Sequence, residues 1–343
     1  MLLTRDNYYS PEADQEYFSC SQYQAFCECE AKAMAKIQGR WEDKPTEALL
    51  VGNYFHTYLE GEAAHEQYRR EHFEEIFKTK TTKAEGTVAV GVRAPFAKAD
   101  EMIAVAQNDE LIRSLIDMPG ENEVIMTGEL FGVPWRVRLD KYVAAGRLII
   151  DWKTCASISE LRWSSEYREK VSFIRANGYM MRAAVYAEIE KQNAHAATDP
   201  NFLIVAISKQ DPPDKDVFML NHRQAWDLEL EEIKERLPLY QRVKEGRVKP
   251  KRCGVCDYCR ATKKLYAVKP YYVLDPEFRE AREDDDIPDT GALLADAQAG
   301  SRGTAARYAV RPSSGCTLIP MSGARAMRCP SCSSRQSPGG IGS

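Results

Sequence analysis

Apolar residues recur at helical spacing along the first third of the chain. Between Ser19 and Gly39, Tyr23, Phe26, Ala33 and Ile37 share one helical face; Ser19 or Ser21 can cap the start and Gly39 stops it. A second helix is predicted from about Thr46 to Glu60 and a third through Phe77. An amphipathic fourth, over 98–117, carries Met102, Ile103, Val105, Leu111, Ile112 and Leu115. The texture then shifts to short β-rich runs, 122–130, 133–142 and 147–152, separated by Phe131-Gly132 and Ala144–Gly146. Such tight connections make antiparallel neighbours. Leu148-Ile149-Ile150-Asp151 is apolar until its last residue, as in a central strand buried on both faces. Helices are expected at 159–169 and 174–193, strands at 202–208 and 216–220, and a long helix at 222–246. The pattern predicts a mixed α/β domain, helices leading into a three-strand meander.

Composition limits where that domain ends. The 343 residues, 44% of them apolar, suffice for one sizeable core. No apolar run approaches the ~18 residues of a membrane span, and the opening MLLTRDNYYSPEADQEYFS lacks the basic and apolar regions of a secretory signal. The expectation is a cytoplasmic protein with no membrane contact, in which ten cysteines serve as metal ligands or core residues rather than disulfides. Residues 1–18 are polar and expected to be flexible. Beyond the domain at 19–270, residues 271–343 read as an acidic linker and a tail whose Gly, Ser, Ala and Arg, from about 287, lack periodicity, as in disordered chains. Within the tail, Cys329-x-x-Cys332 supplies half a metal site, with Cys316 a distant third. The net charge of −4 argues against nucleic acid, but its distribution reverses the argument. Between 241 and 270, ten Lys or Arg face only Glu245 and Asp257, a patch suited to phosphate backbones.

The candidate chemistry lies on the meander. In Asp151-Trp152-Lys153 the strand period of two projects the carboxylate and the ammonium to one side and Trp152 to the other. Asp140 closes the preceding run, and a hairpin return can set it beside Asp151. Two neighbouring carboxylates repel unless a divalent cation relieves them, and hard oxygen ligands suit Mg²⁺ or Mn²⁺. Such an ion polarises a phosphoryl oxygen and lowers the pKa of bound water, while Lys153 can stabilise developing charge. His56, on the second helix, has Gly52 one turn earlier on the same face, which allows close approach of another backbone. His65, His72, His195 and His222 lack such a setting and are expected at the surface. Cys253, Cys256 and Cys259 form C-x2-C-x2-C, spacing that lets thiolates converge on one metal centre. A fourth ligand is available from Cys20, Cys27 or Cys29. Cys155 is expected to be a small core residue.

Asp140…Asp151-x-Lys153 on a β-meander resembles the PD-(D/E)XK nuclease superfamily. The likeness is closest to the branch of RecB-type and Cas4-type nucleases, especially phage exonuclease VIII (RecE)-like proteins. Four further segments carry it: Gly52-x-x-x-His56, the strand RLIIDWKT, the helix containing Arg182 and Tyr186, and the opening SQYQAFCECEAKAMA. It spans about residues 18–265. It implies a restriction-endonuclease-like mixed sheet flanked by helices, and a metal-dependent DNA exonuclease. Asp140, Asp151 and Lys153 would be catalytic; His56, Asp140, Asp151 and the Trp152 carbonyl would hold metal. Arg182, standing where the family has Gln, and Tyr186 would position DNA, with Lys249, Lys251 and Arg252 tracking its backbone. By the same resemblance Cys29, Cys253, Cys256 and Cys259 would hold a [4Fe–4S] cluster, with structural Zn²⁺ the alternative. The implied partners are linear double-stranded DNA, a single-strand annealing protein and further copies of the chain, in a bacterial or phage-infected cell. A nuclease of spacer acquisition, or a non-catalytic DNA-binding protein with the same fold, are the alternatives.

Overall fold

The structure, a computed structural model, describes residues 1–82, 86–164 and 167–265. The expectations for 271–343, with Cys316, Cys329 and Cys332, lie outside the described residues. Every element below belongs to the unit Met1–Lys263.

Five helices come first: α1 (Pro11–Glu16), α2 (Cys20–Ile37), α3 (Glu47–Glu60), α4 (Glu62–Glu71) and α5 (Phe73–Ile76). A hairpin of β1 (Phe77–Thr82) and β2 (Gly86–Val92) precedes α6 (Ala94–Asn108) and α7 (Glu110–Asp117). The meander follows as β3 (Glu121–Leu130), β4 (Val133–Val143) and β5 (Leu148–Cys155). After a small hairpin, β6 (Arg162–Ser164) and β7 (Glu169–Val171), come α8 (Phe173–Ala176) and α9 (Tyr179–Ala194). The rest is β8 (Asn201–Ser208), β9 (Lys215–Met219), α10 (Arg223–Lys244) and α11 (Asp257–Ala261).

The main sheet runs β3-β4-β5-β8-β9. Only β5 and β8 pair in parallel, from Leu148↔Asn201 to Cys155↔Ser208, and a parallel pair needs a crossover, here the stretch containing α9. Period two then assigns the two faces. Ile149, Phe202, Ile204 and Ala206 pack with residues of α2, α9 and α10. Ile150, Trp152, Val205 and Ile207 pack with residues of α3, α6 and α7. The sheet is thus a mixed α/β layer with a core on each side, as the buried LII run predicts. Each Ile, Val or Phe among these side chains, removed from water, contributes roughly 1.5–3 kcal/mol.

Several expectations change. The helix over 98–117 is two helices, because Asp109 leaves the helical conformation and its carboxylate caps α7 by accepting the Ile112 N–H at 3.0 Å. Segment 159–169, expected as a helix, contributes to the β6–β7 hairpin instead; its Trp163 is exposed and supplies no buried helical stripe. The helix expected through Phe77 breaks at His72, and the β1–β2 hairpin that follows was not anticipated. The flexible N-terminus expected over 1–18 is packed. Ser10 caps α1, and Tyr8, Ala13, Tyr17 and Phe18 are buried. Phe18 exchanges backbone hydrogen bonds with β4, its N–H donating to Pro134 and its carbonyl accepting from Arg136. Three buried aromatics outweigh the average polarity of this segment. His65 is buried rather than exposed, its Nδ1 3.2 Å from Thr57 Oγ1 and its ring against Tyr54. Among the described residues, no helix is long and apolar enough to cross a membrane.

Candidate active site and four-cysteine centre

β4 and β5 pair only at Lys141↔Ile150, Tyr142↔Ile149 and Val143↔Leu148, then part. Just beyond Lys141↔Ile150 stand Asp140 and Asp151. Asp140 lies within β4 rather than at its end, and a distortion marks it. Leu139 and Tyr142, three residues apart, pack on the same core, so strand alternation slips between them. Opposite, the β3–β4 ladder skips Glu123, whose φ of 57° is in the left-handed region. The Trp152 N–H, with no β4 backbone beside it, donates to Asp140 Oδ2 at 3.0 Å.

Three oxygens converge on the Lys153 ammonium: Asp151 Oδ2 at 2.6 Å, the Trp152 carbonyl at 3.0 Å and Asp140 Oδ2 at 3.4 Å. His56 Nδ1 from α3 lies 3.6 Å from the same Asp140 oxygen. Asp151 is fully buried; its Oδ2 is ion-paired with the Lys153 ammonium, while its Oδ1 has no hydrogen-bond partner among the described residues. A buried carboxylate oxygen left this way is costly. Burial pushes the Asp151 carboxyl up, with Asp140 adding to the shift and Lys153 opposing it. Burial acts on Asp140 too, but Lys153, His56 and the Trp152 N–H together hold it below its usual value. Burial also lowers His56, which favours the neutral imidazole that can ligate metal. Burial opposes the charge on Lys153, yet Asp140 and Asp151 hold its pKa above the ordinary value. Hard oxygens, one of them orphaned, and a neutral imidazole fit a divalent cation. Gly52 is less demanding than its spacing suggested, since a Cβ there would meet Thr154 Oγ1 at an ordinary 3.9 Å.

Arg182 and Tyr186 arrive on α9. The Arg182 guanidinium sits 5.8 Å from the Tyr186 ring and makes no hydrogen bond or ion pair among the described residues. Burial works against its charge, but Tyr186 and Asp151 hold its pKa above the usual value. Tyr186 is buried and its hydroxyl donates to the Arg138 carbonyl at 3.1 Å, so it steadies β4 beside Asp140 rather than offering a free hydroxyl. Lys249, Lys251 and Arg252 are exposed and none lines the cavity at Asp140. Arg252 is partly committed to the Cys259 carbonyl and Thr262. That cavity, about 540 Å³, is lined by residues that period and spacing did not single out, among them Tyr8, Tyr9, Arg136 and Arg138. Glu123, outside the lining, pairs with Arg138 at 2.7 Å, and burial raises its carboxyl to about 7. No local signal marks these residues.

The second site joins α2 to the segment before α11. α2 is not continuous: Cys29 has φ −165° and ψ 102°, which turns its thiol out of helical register. The freed Ala31 N–H donates to the Lys251 carbonyl, and the Lys251 N–H returns to Glu30, locking the two segments together. Cys29, Cys253, Cys256 and Cys259 then lie with their sulfurs within 4.8 Å of one another. Cys29–Cys259 is 3.6 Å and Cys253–Cys259 3.9 Å. The Cys256 N–H donates to Cys253 Sγ and the Cys259 N–H to Cys256 Sγ. The first of these amides, with that of Val255, lowers the Cys253 thiol to about 6. Sulfurs ~2.3 Å from one tetrahedral ion lie about 3.8 Å apart, which matches. Cys27, the other candidate, instead contacts Arg236 and Tyr240. Cys20 lines the Asp140 cavity, and Cys155 is a buried strand residue.

A five-stranded mixed sheet that parts at Asp140 and Asp151-x-Lys153, with helices on both faces, is the PD-(D/E)XK core. The chain belongs to the family described as "PDDEXK-like domain of unknown function (DUF3799)", whose model matches residues 19–262. It is similar to a crystal structure from Eubacterium rectale described as a "putative exonuclease", 36% identical over 80% of this chain and 99% of that one, with a TM-score of 0.70. A second solved structure, SSO0001, is 13% identical over 69% of this chain and 92% of that one, and its TM-score of 0.25 carries no argument. No curated protein matches.

Proposed function

We propose that this chain is a metal-dependent DNA exonuclease that hydrolyses phosphodiesters of linear duplex DNA, acting in phage-type recombination. The observation that carries the reading is the convergence of Asp140, Asp151 and the Trp152 carbonyl on one cation, the Lys153 ammonium, deep in the cleft where β4 and β5 part. His56, Asp140, Asp151 and the Trp152 carbonyl would hold Mg²⁺ or Mn²⁺. Such an ion, when bound, supplies Lewis-acid polarisation and a more acidic water. Lys153 stays protonated between the carboxylates and neutralises charge that grows on the attacked phosphate. Arg182 offers an unpaired guanidinium for a phosphate on the same cavity. The E. rectale relative supports exonuclease over endonuclease. The exposed cations of 241–265 would track the backbone, making binding salt-sensitive. A single-strand annealing partner and self-assembly, in the cytoplasm of a bacterial or phage-infected cell, belong to the same proposal.

The four cysteines are proposed as a structural metal centre. The four thiolates can hold a [4Fe–4S] cluster, and the two separations of 3.6 and 3.9 Å also suit a single tetrahedral ion such as Zn²⁺.

Incubation with Mn²⁺ tests the reading. Linear duplex should release nucleotides while closed circular duplex resists, and Lys153→Ala should abolish release. Equal release by both proteins, or none by the wild type, removes the proposal. One observation favours a second reading, a DNA-binding protein without turnover: the Arg182 charge beside Asp151. Under that reading the wild type retains DNA and releases nothing.

A further inference from the structure

The cavity beside Asp140 has a wall that the catalytic reading does not use. The N-terminal segment lays Tyr8 and Tyr9 against β4, their rings edge to face at 4.9 Å. Tyr8 is buried beneath Arg136, whose Cζ is 4.7 Å from its ring. Tyr9 is 65% exposed, with Arg138 over its ring at 5.0 Å. Arg138 is held in place by Glu123. Arg136 is only 2% exposed and pairs with Asp14 through one terminal nitrogen, while its Nε and Nη1 have no hydrogen-bond partner. A guanidinium that is almost wholly buried, lines a cavity and retains two unpaired donors is poised for an oxyanion. An exposed aromatic ring beside it suits a nucleobase. The volume of the cavity, about 540 Å³, is that of a small-ligand pocket. A base inside a stacked duplex has no free face to lay on Tyr9, whereas an extruded one does.

We infer that this cavity receives one unpaired nucleotide at the strand end, its base stacked on Tyr9 and its phosphate held by Arg136, next to the carboxylates. The inference rests on the nuclease reading and deepens it: the N-terminal segment selects a frayed end over continuous duplex. Tyr9 is here a specificity-determining residue and takes no part in bond cleavage. Arg138 is paired with Glu123 and one arm of Arg136 with Asp14. The Tyr9 ring and the two remaining Arg136 donors are therefore the features of this wall left for a ligand.

The test uses the full chain and a linear duplex with 2-aminopurine at its terminal position. Binding is read by fluorescence with Ca²⁺ in place of Mn²⁺, and turnover is read separately with Mn²⁺. Wild type and Tyr9→Phe should quench the terminal base and share one KM. Tyr9→Ala should lose the quenching and raise KM about ten-fold, with kcat within about two-fold. Because Arg136 is buried and paired, Arg136→Lys is accompanied by a melting curve, and a folded variant should also raise KM. If Tyr9→Ala keeps wild-type quenching and KM while the wild type degrades DNA, the inference is overturned and the nuclease reading stands. A wild type that neither binds nor cuts overturns both.

Discussion

At Asp151 a fully buried carboxylate, raised in pKa by burial and by Asp140, faces the Lys153 ammonium; at Cys253 and Cys256 the sulfurs accept backbone N–H groups within 4.8 Å of the other thiols. Both regions gather residues distant in sequence, but they do so with opposite energetics. The carboxylate cleft opens where two strands part, and concentrates charge that burial disfavours. The cysteine centre closes where a helix breaks and a loop crosses it, with amides already aimed at sulfur. The contrast teaches that one site stores strain for a ligand, while the other ties the domain's first long helix to its last described segment.

Substitutions should therefore separate activity from stability in opposite directions. The largest effect is expected for Asp151→Asn. Replacing this carboxylate should cut turnover by at least about 10³-fold while leaving Tm unchanged or higher, since burial and the neighbouring Asp140 already disfavour its charge. A fall in Tm alongside lost activity would erase the contrast. Cys256→Ser should do the reverse. Tm drops by about 10 °C, and the remaining folded protein keeps kcat within a few-fold. Metal analysis sharpens the same point: one zinc per chain and a colourless protein would assign a single tetrahedral ion, whereas four irons and visible absorption would assign a [4Fe–4S] cluster. The smallest effect is a pH slope. Burial raises Glu123 from 4.5 to about 7, so the folded state holds its proton more tightly. Its stabilising contribution is complete below about 4.5 and is lost as pH rises through about 7. Urea melts between these values should show that decline in the wild type and a flatter profile in Glu123→Gln.

Much of this was legible in the chain itself, for a local reason. Period two reports which face a strand residue takes, so Asp151 and Lys153 could be put together and Trp152 opposite, as found in the two cores. C-x2-C-x2-C reports a metal knuckle because two residues are what a turn around one ion needs. The meander, α9 and α10 follow from uninterrupted apolar patterns. Where local signals compete, the reading failed. Residues 1–18 looked loose because their polarity hides three aromatics that find burial only against β4. Asp109 looked like one more helical residue until its carboxylate proved to be a cap.

Taken alone, then, the sequence determined the order of helices and strands, the D…D-x-K pairing, the cysteine triplet and the family likeness. These depend on spacing along one chain. Only the tertiary structure decided that the strands part beyond Lys141↔Ile150, where Asp140 and Asp151 stand, and that a break in α2 turns Cys29 toward the other three thiols. It alone brought Tyr8, Tyr9 and Arg136 to the carboxylates. Their contact depends on how an N-terminal segment docks across a strand more than a hundred residues later, and no periodicity records that distance.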